Sequence, residues 1–157
     1  MQQLSMKAAY SVCNKLLTLL DEVRFDNILK CQEEASRSVG LSKSKVVYIK
    51  DLAQKIKDGV VNIDNIDSLT DEEIIKELIK VKGIGKWTAE MFLIFSLGRM
   101  DVFSLQNLGI KKAVQGLYII PELPNREFLI NFSDNFKPYR TVVTLYLWGG
   151  TNKVIIK

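Results

Sequence analysis

A pair of glycines at positions 83 and 85 lies between two helical sequence patterns, and this bend constrains the fold more than any other feature. Ahead of the bend, Thr70 and Glu73 have the T-x-x-E spacing of a capping box, which predicts the start of a helix. After Gly85 the residues are mostly apolar, which predicts a second helix directly behind the turn. The sequence therefore predicts a helix, a tight turn and a helix.

The Gly-Ile-Gly turn has two interpretations. Glycine permits positive φ and close backbone approach, and the unpaired N–H groups of a following helix can bind a phosphate. Lys82 and Lys86 flank the turn and add positive charge. Alternatively, the first glycine only ends a helix and the second completes a tight turn. The turn by itself does not decide between a phosphate site and a simple bend.

Helical spacing recurs along the rest of the chain, so the fold class predicted is all-α, in one domain over residues 1–157. A first helix is expected from about Met6 to Leu20. A second pattern continues through Cys31 to Gly40, and Ser42 and Asn125 are expected to cap later helices. The helix after Gly85 is apolar nearly all round, which predicts a buried helix with Trp87 and Met91 in the core.

Composition narrows the possible chemistry. The chain has 157 residues, a net charge of +4 and no histidine, so acid–base catalysis would have to use Asp, Glu, Lys, Tyr or water. The charge is compatible with a nucleic-acid partner but does not require one. Cys13 and Cys31 are interpreted as reduced core cysteines, too few for a four-cysteine metal site. No secretory signal is visible in the first residues, and the apolar run 91–95 is too short to span a bilayer.

The stretch Val81 to Ala89, V-K-G-I-G-K-W-T-A, resembles the helix–hairpin–helix of DNA glycosylases, in particular the 3-methyladenine (alkyladenine) branch. Other stretches are similar to the same family: residues 1–9, residues 40–53, Asp101-Val102-Phe103 with Leu108-Gly109-Ile110, Pro138 to Thr141, and Tyr146-Leu147-Trp148. The resemblance implies an HhH-GPD glycosylase fold whose N-terminal part is short relative to the family.

The resemblance also implies a set of site residues. The base pocket would contain Trp87, Met91 and Trp148, with ordinary core packing as the alternative for Trp148. The DNA-binding residues would be Gln3, Ser5, Ser42, Lys82, Gly83, Gly85 and Lys86. Helix capping and solvation explain Ser42 equally well without DNA, and a frayed helix start explains Gln3 and Ser5. Backbone carbonyls of Val81, Gly83 and Gly85 would hold a structural Na⁺ or K⁺, and no other cofactor is expected.

One position departs from the family pattern. Asn107 lies where the family has the catalytic Asp that stabilises the cationic sugar and assists water. An amide is close to a carboxylate in shape, but it is neutral and cannot take a proton from water. Asn107 is either native or a deliberate Asp→Asn replacement. The nearest carboxylate, Asp101, matches a structural position of the family, and Arg140 is interpreted as an ion-pair or capping residue.

Three hypotheses follow. The first is a monofunctional glycosylase for alkylated purines, without lyase activity because Trp87 replaces the Schiff-base lysine of bifunctional relatives. The second is a damage-binding protein of the same fold, which Asn107 favours. The third is a helical interaction module without a DNA role, which the two lysines at the turn disfavour. The partner that the resemblance implies is double-stranded DNA with a damaged base. We also expect a monomer, no membrane partner, and an intracellular location, which would be nuclear in a eukaryote.

Overall fold

The computed structural model describes the backbone of residues 6–154 and the side chains of residues 7–150, and within these limits it contains helices and no strand. This confirms the all-α prediction. The chain divides into two compact units, one ending at Ile84 and one beginning at Gly85. The expectation of a single domain stays a prediction.

The first unit contains five α-helices and one 3₁₀ turn within the described residues. They are α1 (Met6–Leu20), α2 (Phe25–Lys30), α3 (Glu33–Ser38), α4 (Lys43–Lys57), the 3₁₀ turn Ile66–Ser68, and α5 (Asp71–Leu78). Helix α4 packs against α2 and α3. The most deeply buried side chains of this unit are Ala53, Val61, Ile74 and Val81.

Local capping chemistry sets several helix starts, as predicted. The Ser42 hydroxyl accepts a hydrogen bond from the Lys45 amide at 3.4 Å, which opens α4. Thr70 and Glu73 form both halves of the capping box of α5.

The continuous helix expected up to Gly40 is wrong, because Cys31 has an extended backbone and separates α2 from α3. The two cysteines are not core residues either: Cys13 is exposed and Cys31 is half-buried.

The second unit contains four described helices. They are α6 (Lys86–Phe95), α7 (Leu108–Tyr118), α8 (Arg126–Asp134) and α9 (Arg140–Val154). Their core is formed by Phe103, Ile110, Val114, Leu129, Phe132 and Leu147. Asn125 caps α8 as predicted, since its Oδ1 accepts the Phe128 amide at 2.8 Å. In the described part of the chain no helix is both long and apolar enough to cross a membrane.

Helix α6 is only partly buried, which contradicts the expectation of a helix covered on all sides. Ala89 and Leu93 are fully enclosed, but Trp87 is 51% exposed and Phe95 is 66% exposed. Met91 is half-buried. The core interpretation of Trp87 is therefore wrong: one face of α6 fills the core, and another presents large apolar side chains to the surface.

Candidate functional site

The first half of the hairpin belongs to the first unit. Val81 is buried, and its carbonyl accepts the Ile84 amide at 3.1 Å, which closes the turn. Gly83 has φ +83°, a conformation that glycine adopts without strain, so this position needs glycine, as expected. The Lys82 amide donates to Asp51 Oδ2 at 2.7 Å, and therefore Lys82 can offer a phosphate only its exposed side chain.

The second half of the hairpin is the start of α6. Gly85 is the N-cap residue with φ −94° and ψ 174°, so it does not need the positive φ that the sequence allowed. No side chain caps this helix, and its first intrahelical bond is donated by Ala89 to the Gly85 carbonyl at 3.1 Å. The amides of residues 86–88 thus remain available at the positive end of the helix dipole. Lys86 is exposed, with its Nζ 4.0 Å from Glu90 Oε1.

Asn107 is the N-cap of α7. Its Oδ1 accepts the Ile110 amide at 3.0 Å and the indole Nε1–H of Trp148 at 3.2 Å. The backbone N–H of Asn107 donates to the Ser104 carbonyl at 3.1 Å, and this bond holds the loop ahead of the helix. A Cβ on Gly109 would lie 3.0 Å from Asn107 Oδ1, so glycine leaves room for this side chain. The position predicted to be catalytic is therefore fixed by hydrogen bonds at one oxygen.

Aromatic side chains lie beside Asn107. Trp148, on α9, stacks with Phe95 of α6 at a centroid distance of 6.4 Å and an interplanar angle of 17°. Sequence reasoning missed Phe95, although its spacing of four from Met91 and eight from Trp87 places the three on successive turns of one helix face. The structure brings Asn107, Trp148 and Phe95 together. Trp87 and Met91 belong to the same unit, but no direct ring contact joins Trp87 to Trp148 among the described residues.

Two carboxylates of this unit have different environments. Asp101 accepts hydrogen bonds from Arg140 Nε at 2.6 Å and from Arg140 Nη2 at 2.9 Å, and this pairing lowers the pKa of Asp101. This ion pair confirms the prediction that Asp101 is a structural residue and that Arg140 is an ion-pair or capping residue. Glu90 is only 6% exposed, and burial raises its pKa, although Ser104 and Lys86 partly oppose the shift. Ser104 Oγ is buried without a well-aligned hydrogen bond among the described residues.

The remaining predicted residues are placed as follows. Ser42 is an exposed cap at the start of α4, and its contact with DNA stays a prediction. Gln3 and Ser5 lie outside the described residues. The carbonyl of Val81 already accepts one hydrogen bond, which leaves one lone pair for a cation. A monovalent ion at Val81 and Gly83 is compatible with this geometry. Within residues 7–150 no three His, Cys, Asp or Glu side chains are grouped as metal ligands.

Comparison with known proteins places this geometry in a family. Residues 1–138 match the HhH-GPD superfamily of base-excision DNA repair proteins. DNA-3-methyladenine glycosylase 1 of Schizosaccharomyces pombe is 33% identical over 151 residues, which cover 94% of this chain and 66% of the relative. A putative DNA-3-methyladenine glycosylase of Bacillus subtilis is 28% identical and is covered over 54% of its length. The chain thus spans about half to two thirds of these relatives.

Solved structures agree with the sequence relatives. The DNA-3-methyladenine glycosidase of Bacillus halodurans superposes with a TM-score of 0.81 at 34% identity, covering 96% of this chain and 70% of the other. The 3-methyladenine DNA glycosylase of Schizosaccharomyces pombe in complex with abasic DNA superposes with a TM-score of 0.77 at 32% identity, covering 94% and 73%. This chain therefore belongs to the HhH-GPD superfamily of base-excision DNA repair proteins.

Proposed function

We propose that this chain recognises alkylated purines of the 3-methyladenine type in double-stranded DNA and belongs to the monofunctional N-glycosylases. The observation that carries the proposal is the arrangement at Asn107. Its side chain is oriented by the Trp148 indole N–H next to the Trp148–Phe95 aromatic pair, at the position where the resemblance puts the catalytic carboxylate. The relatives named DNA-3-methyladenine glycosylases support this assignment.

The hairpin supplies the proposed anchor on DNA. In the second unit, the uncapped amides at the start of α6 and the exposed Lys86 favour a phosphate. In the first unit, the exposed Lys82 adds positive charge. The relative solved with abasic DNA supports DNA as the partner. We propose that the chain acts as an intracellular monomer, in the nucleus in a eukaryote, and that Na⁺ or K⁺ binds at the hairpin carbonyls.

The aromatic face supplies the proposed base pocket. Trp148 and Phe95 are already stacked, while Trp87 and Met91 continue the apolar face along α6. An enzyme that acts on a base must extrude it from the duplex, and flat aromatic side chains stabilise the extruded base by stacking. Phe95 is 66% exposed and Trp87 is 51% exposed, so these two rings are available for stacking on an extruded base.

The bond to be broken joins the base to the sugar C1′. The transition state has oxocarbenium character, so a nearby negative charge contributes most of the stabilisation that a side chain can give. Asn107 presents an oxygen that two N–H groups already occupy, and it carries no charge. An Asp in the same conformation would keep both hydrogen bonds and have a second, charged oxygen for the sugar and the water.

The carboxylate nearest to Asn107 in the sequence, Asp101, does not replace the missing one. Asp101 is held by two Arg140 nitrogens and also accepts the Arg140 amide at 3.4 Å. Asn107 therefore favours the second candidate function, in which the chain binds damaged bases and releases them slowly or not at all. Lyase activity is not expected with either function, because Trp87 occupies the position of the Schiff-base lysine in the family pattern.

Single-turnover release of methylated purines from alkylated duplex DNA tests the proposal. The variants are Asn107→Asp and, as a matched control, Asn125→Asp, which makes the same change at the N-cap of α8. We expect Asn107→Asp to release base at least about a hundredfold faster than the parent chain. Asn125→Asp should behave as the parent.

The alternative outcomes separate the hypotheses. Equal release by parent and Asn107→Asp would show that another group is catalytic. No release by either chain, with binding of both to a duplex that carries an abasic-site analogue, would establish the binding-only function. If neither chain binds the duplex, the proposed function is wrong.

A further inference from the structure

Three side chains on one face of α4 contact the backbone that enters the hairpin. Tyr48, Asp51 and Lys55 have the spacing i, i+3 and i+7, which places them on a single face of the helix. Their contacts fall within residues 80–83, in reversed order along the chain. All of these residues belong to the first unit.

Asp51 and Lys55 hold the hairpin by its backbone. Asp51 Oδ2 accepts the Lys82 amide at 2.7 Å and Lys55 Nζ at 2.8 Å. Lys55 Nζ also donates to the Lys80 carbonyl at 2.6 Å. The hydrogen bonds from Lys55 and from the Lys82 amide lower the pKa of Asp51, so this carboxylate is ionised at neutral pH. The network closes around buried Val81, fixing the backbone on both sides of it.

Tyr48 forms the third contact. A Cβ built on Gly83 would lie 2.3 to 2.4 Å from three atoms of the Tyr48 ring, so the ring occupies the space where any other residue would have a side chain. Gly83 also has φ +83°. The tyrosine therefore packs directly on the turn backbone, and the turn cannot move towards α4.

Charge gives the network a second consequence. A lone carboxylate beside a phosphate-binding turn would repel the phosphate. Lys55 neutralises Asp51 and keeps its own Nζ engaged with Asp51 and Lys80, so the pair fixes the turn without leaving a net negative charge there.

We propose that Tyr48, Asp51 and Lys55 form a hairpin template: positioning residues that hold the backbone of residues 80–83 in the geometry that presents the exposed Lys82 side chain to a DNA phosphate, with Lys55 also neutralising Asp51. The proposal rests on the proposed DNA binding by the hairpin. The template residues themselves touch no phosphate; they act through Lys80, Lys82 and Gly83. Its sequence signature is Tyr-x-x-Asp-x-x-x-Lys on the helix that precedes the hairpin helices.

The test compares two lysines of α4. Lys57 is half-exposed, pairs with Asp26 at 3.0 Å and does not touch the hairpin. Lys55→Met and Lys57→Met therefore remove the same charge from the same helix, but only the first removes the template contacts. The probe is a duplex with an abasic-site analogue, and its binding is measured by fluorescence anisotropy over a series of salt concentrations. Circular dichroism melts confirm that both variants are folded.

We expect Lys55→Met to bind the duplex roughly tenfold more weakly than Lys57→Met, from the loss of two hydrogen bonds that hold the turn and the exposure of the Asp51 charge. Lys55→Arg should restore most of the binding. The slope of log K against log salt should be the same for both methionine variants, because a positioning residue releases no counterion. A slope smaller by about 0.9 for Lys55→Met would identify a direct phosphate contact and overturn the proposal.

Amide hydrogen exchange across residues 80–83 tests, without DNA, whether the template residues hold the backbone of the turn. Lys55→Met should speed exchange of the Lys82 amide, and Lys57→Met should leave it as in the parent chain. If Lys55→Met leaves the exchange rate of the Lys82 amide unchanged, or if the two methionine variants bind DNA with equal affinity, the proposed hairpin template is wrong. If the parent chain itself fails to bind the duplex while the exchange result holds, the proposed function and the DNA-positioning role both fail, and the template is only a structural support of the turn.

Discussion

Replacing Gly83 by alanine should destabilise the chain, whereas replacing Gly85 should mainly weaken DNA binding. At Gly83 the backbone has φ +83°, and an added Cβ would lie 2.3 Å from the Tyr48 ring. At Gly85 the backbone has φ −94°, and nothing lies within 4 Å of an added Cβ. The two glycines of one motif therefore have different physical reasons for being glycine.

The cost at Gly83 has two parts. A non-glycine residue in the left-handed region costs about 1–2 kcal/mol. Forcing a methyl group into the Tyr48 ring adds about 1–3 kcal/mol of overpacking. The reduced freedom of the unfolded chain returns only about 0.4–1 kcal/mol. We expect a net loss of about 1–5 kcal/mol for Gly83→Ala, and a change within about 0.5 kcal/mol for Gly85→Ala, since the small capping loss and the entropy gain offset each other.

Urea denaturation measures both changes, and two further variants separate the terms. Gly59 has φ +69° and open space around it, so Gly59→Ala reports the backbone strain alone. Tyr48→Leu combined with Gly83→Ala relieves the clash but not the strain. If Gly83→Ala lowers the free energy of unfolding no more than Gly59→Ala does, the Tyr48 ring does not restrict this position.

Gly85→Ala should remain folded and bind an abasic-site duplex less tightly, because its methyl group hinders close approach of a phosphate to the amides of α6. Parent-like binding by Gly85→Ala would refute that role.

Two carboxylates should show opposite pH dependence in urea denaturation. Arg140 lowers the pKa of Asp101, so the stability contributed by this pair is present above the unfolded pKa of about 3.9 and is lost as the pH falls through the folded value. Asp101→Asn should therefore cost about 1 kcal/mol at neutral pH and progressively less in acid; a cost that does not change with pH would contradict the ion pair. Burial raises the pKa of Glu90, so its contribution is complete below the unfolded pKa of about 4.3 and is lost as the pH rises through the folded value. Glu90→Gln should gain stability relative to the parent from acid to neutral pH, and a constant difference would refute the burial argument.

Helix starts could be predicted from the sequence because they depend on chemistry within one turn. Ser42, Asn125 and the Thr70–Glu73 capping box all appear as expected. The break between α2 and α3 could not be predicted, because Cys31 carries no local stop signal and the apolar spacing runs through it. Both short helices pack on α4, and contacts between residues distant in the sequence are not encoded in the local apolar spacing.

The site was only partly visible in the sequence. Motif resemblance located Asn107 and Trp148, but not the hydrogen bond that joins them across 41 positions of the chain. The sequence pattern predicts Trp87 in the core while the resemblance places it in a base pocket, because a buried face and a ligand-binding face have the same apolar composition. The Asp51–Lys55 pair looks like an ordinary i, i+4 surface pair. Its distinguishing contacts are to backbone atoms of the hairpin, which no side-chain pattern encodes.

Asn107 shows why the fold gives no information about catalysis at this position. Asn and Asp are about equally good N-cap residues, and either would accept the Ile110 amide and the Trp148 indole N–H at one oxygen. The helix dipole would favour the charged residue by roughly 0.3–1 kcal/mol, so the neutral amide brings no gain in stability. The structure around the position is thus compatible with both residues, and the difference between them lies in the second side-chain atom, an oxygen with charge in Asp and an amide nitrogen in Asn. Under the proposed function, Asn107→Asp therefore adds a negative charge at this position, while the hydrogen bonds from Ile110 and Trp148 keep the side chain in place.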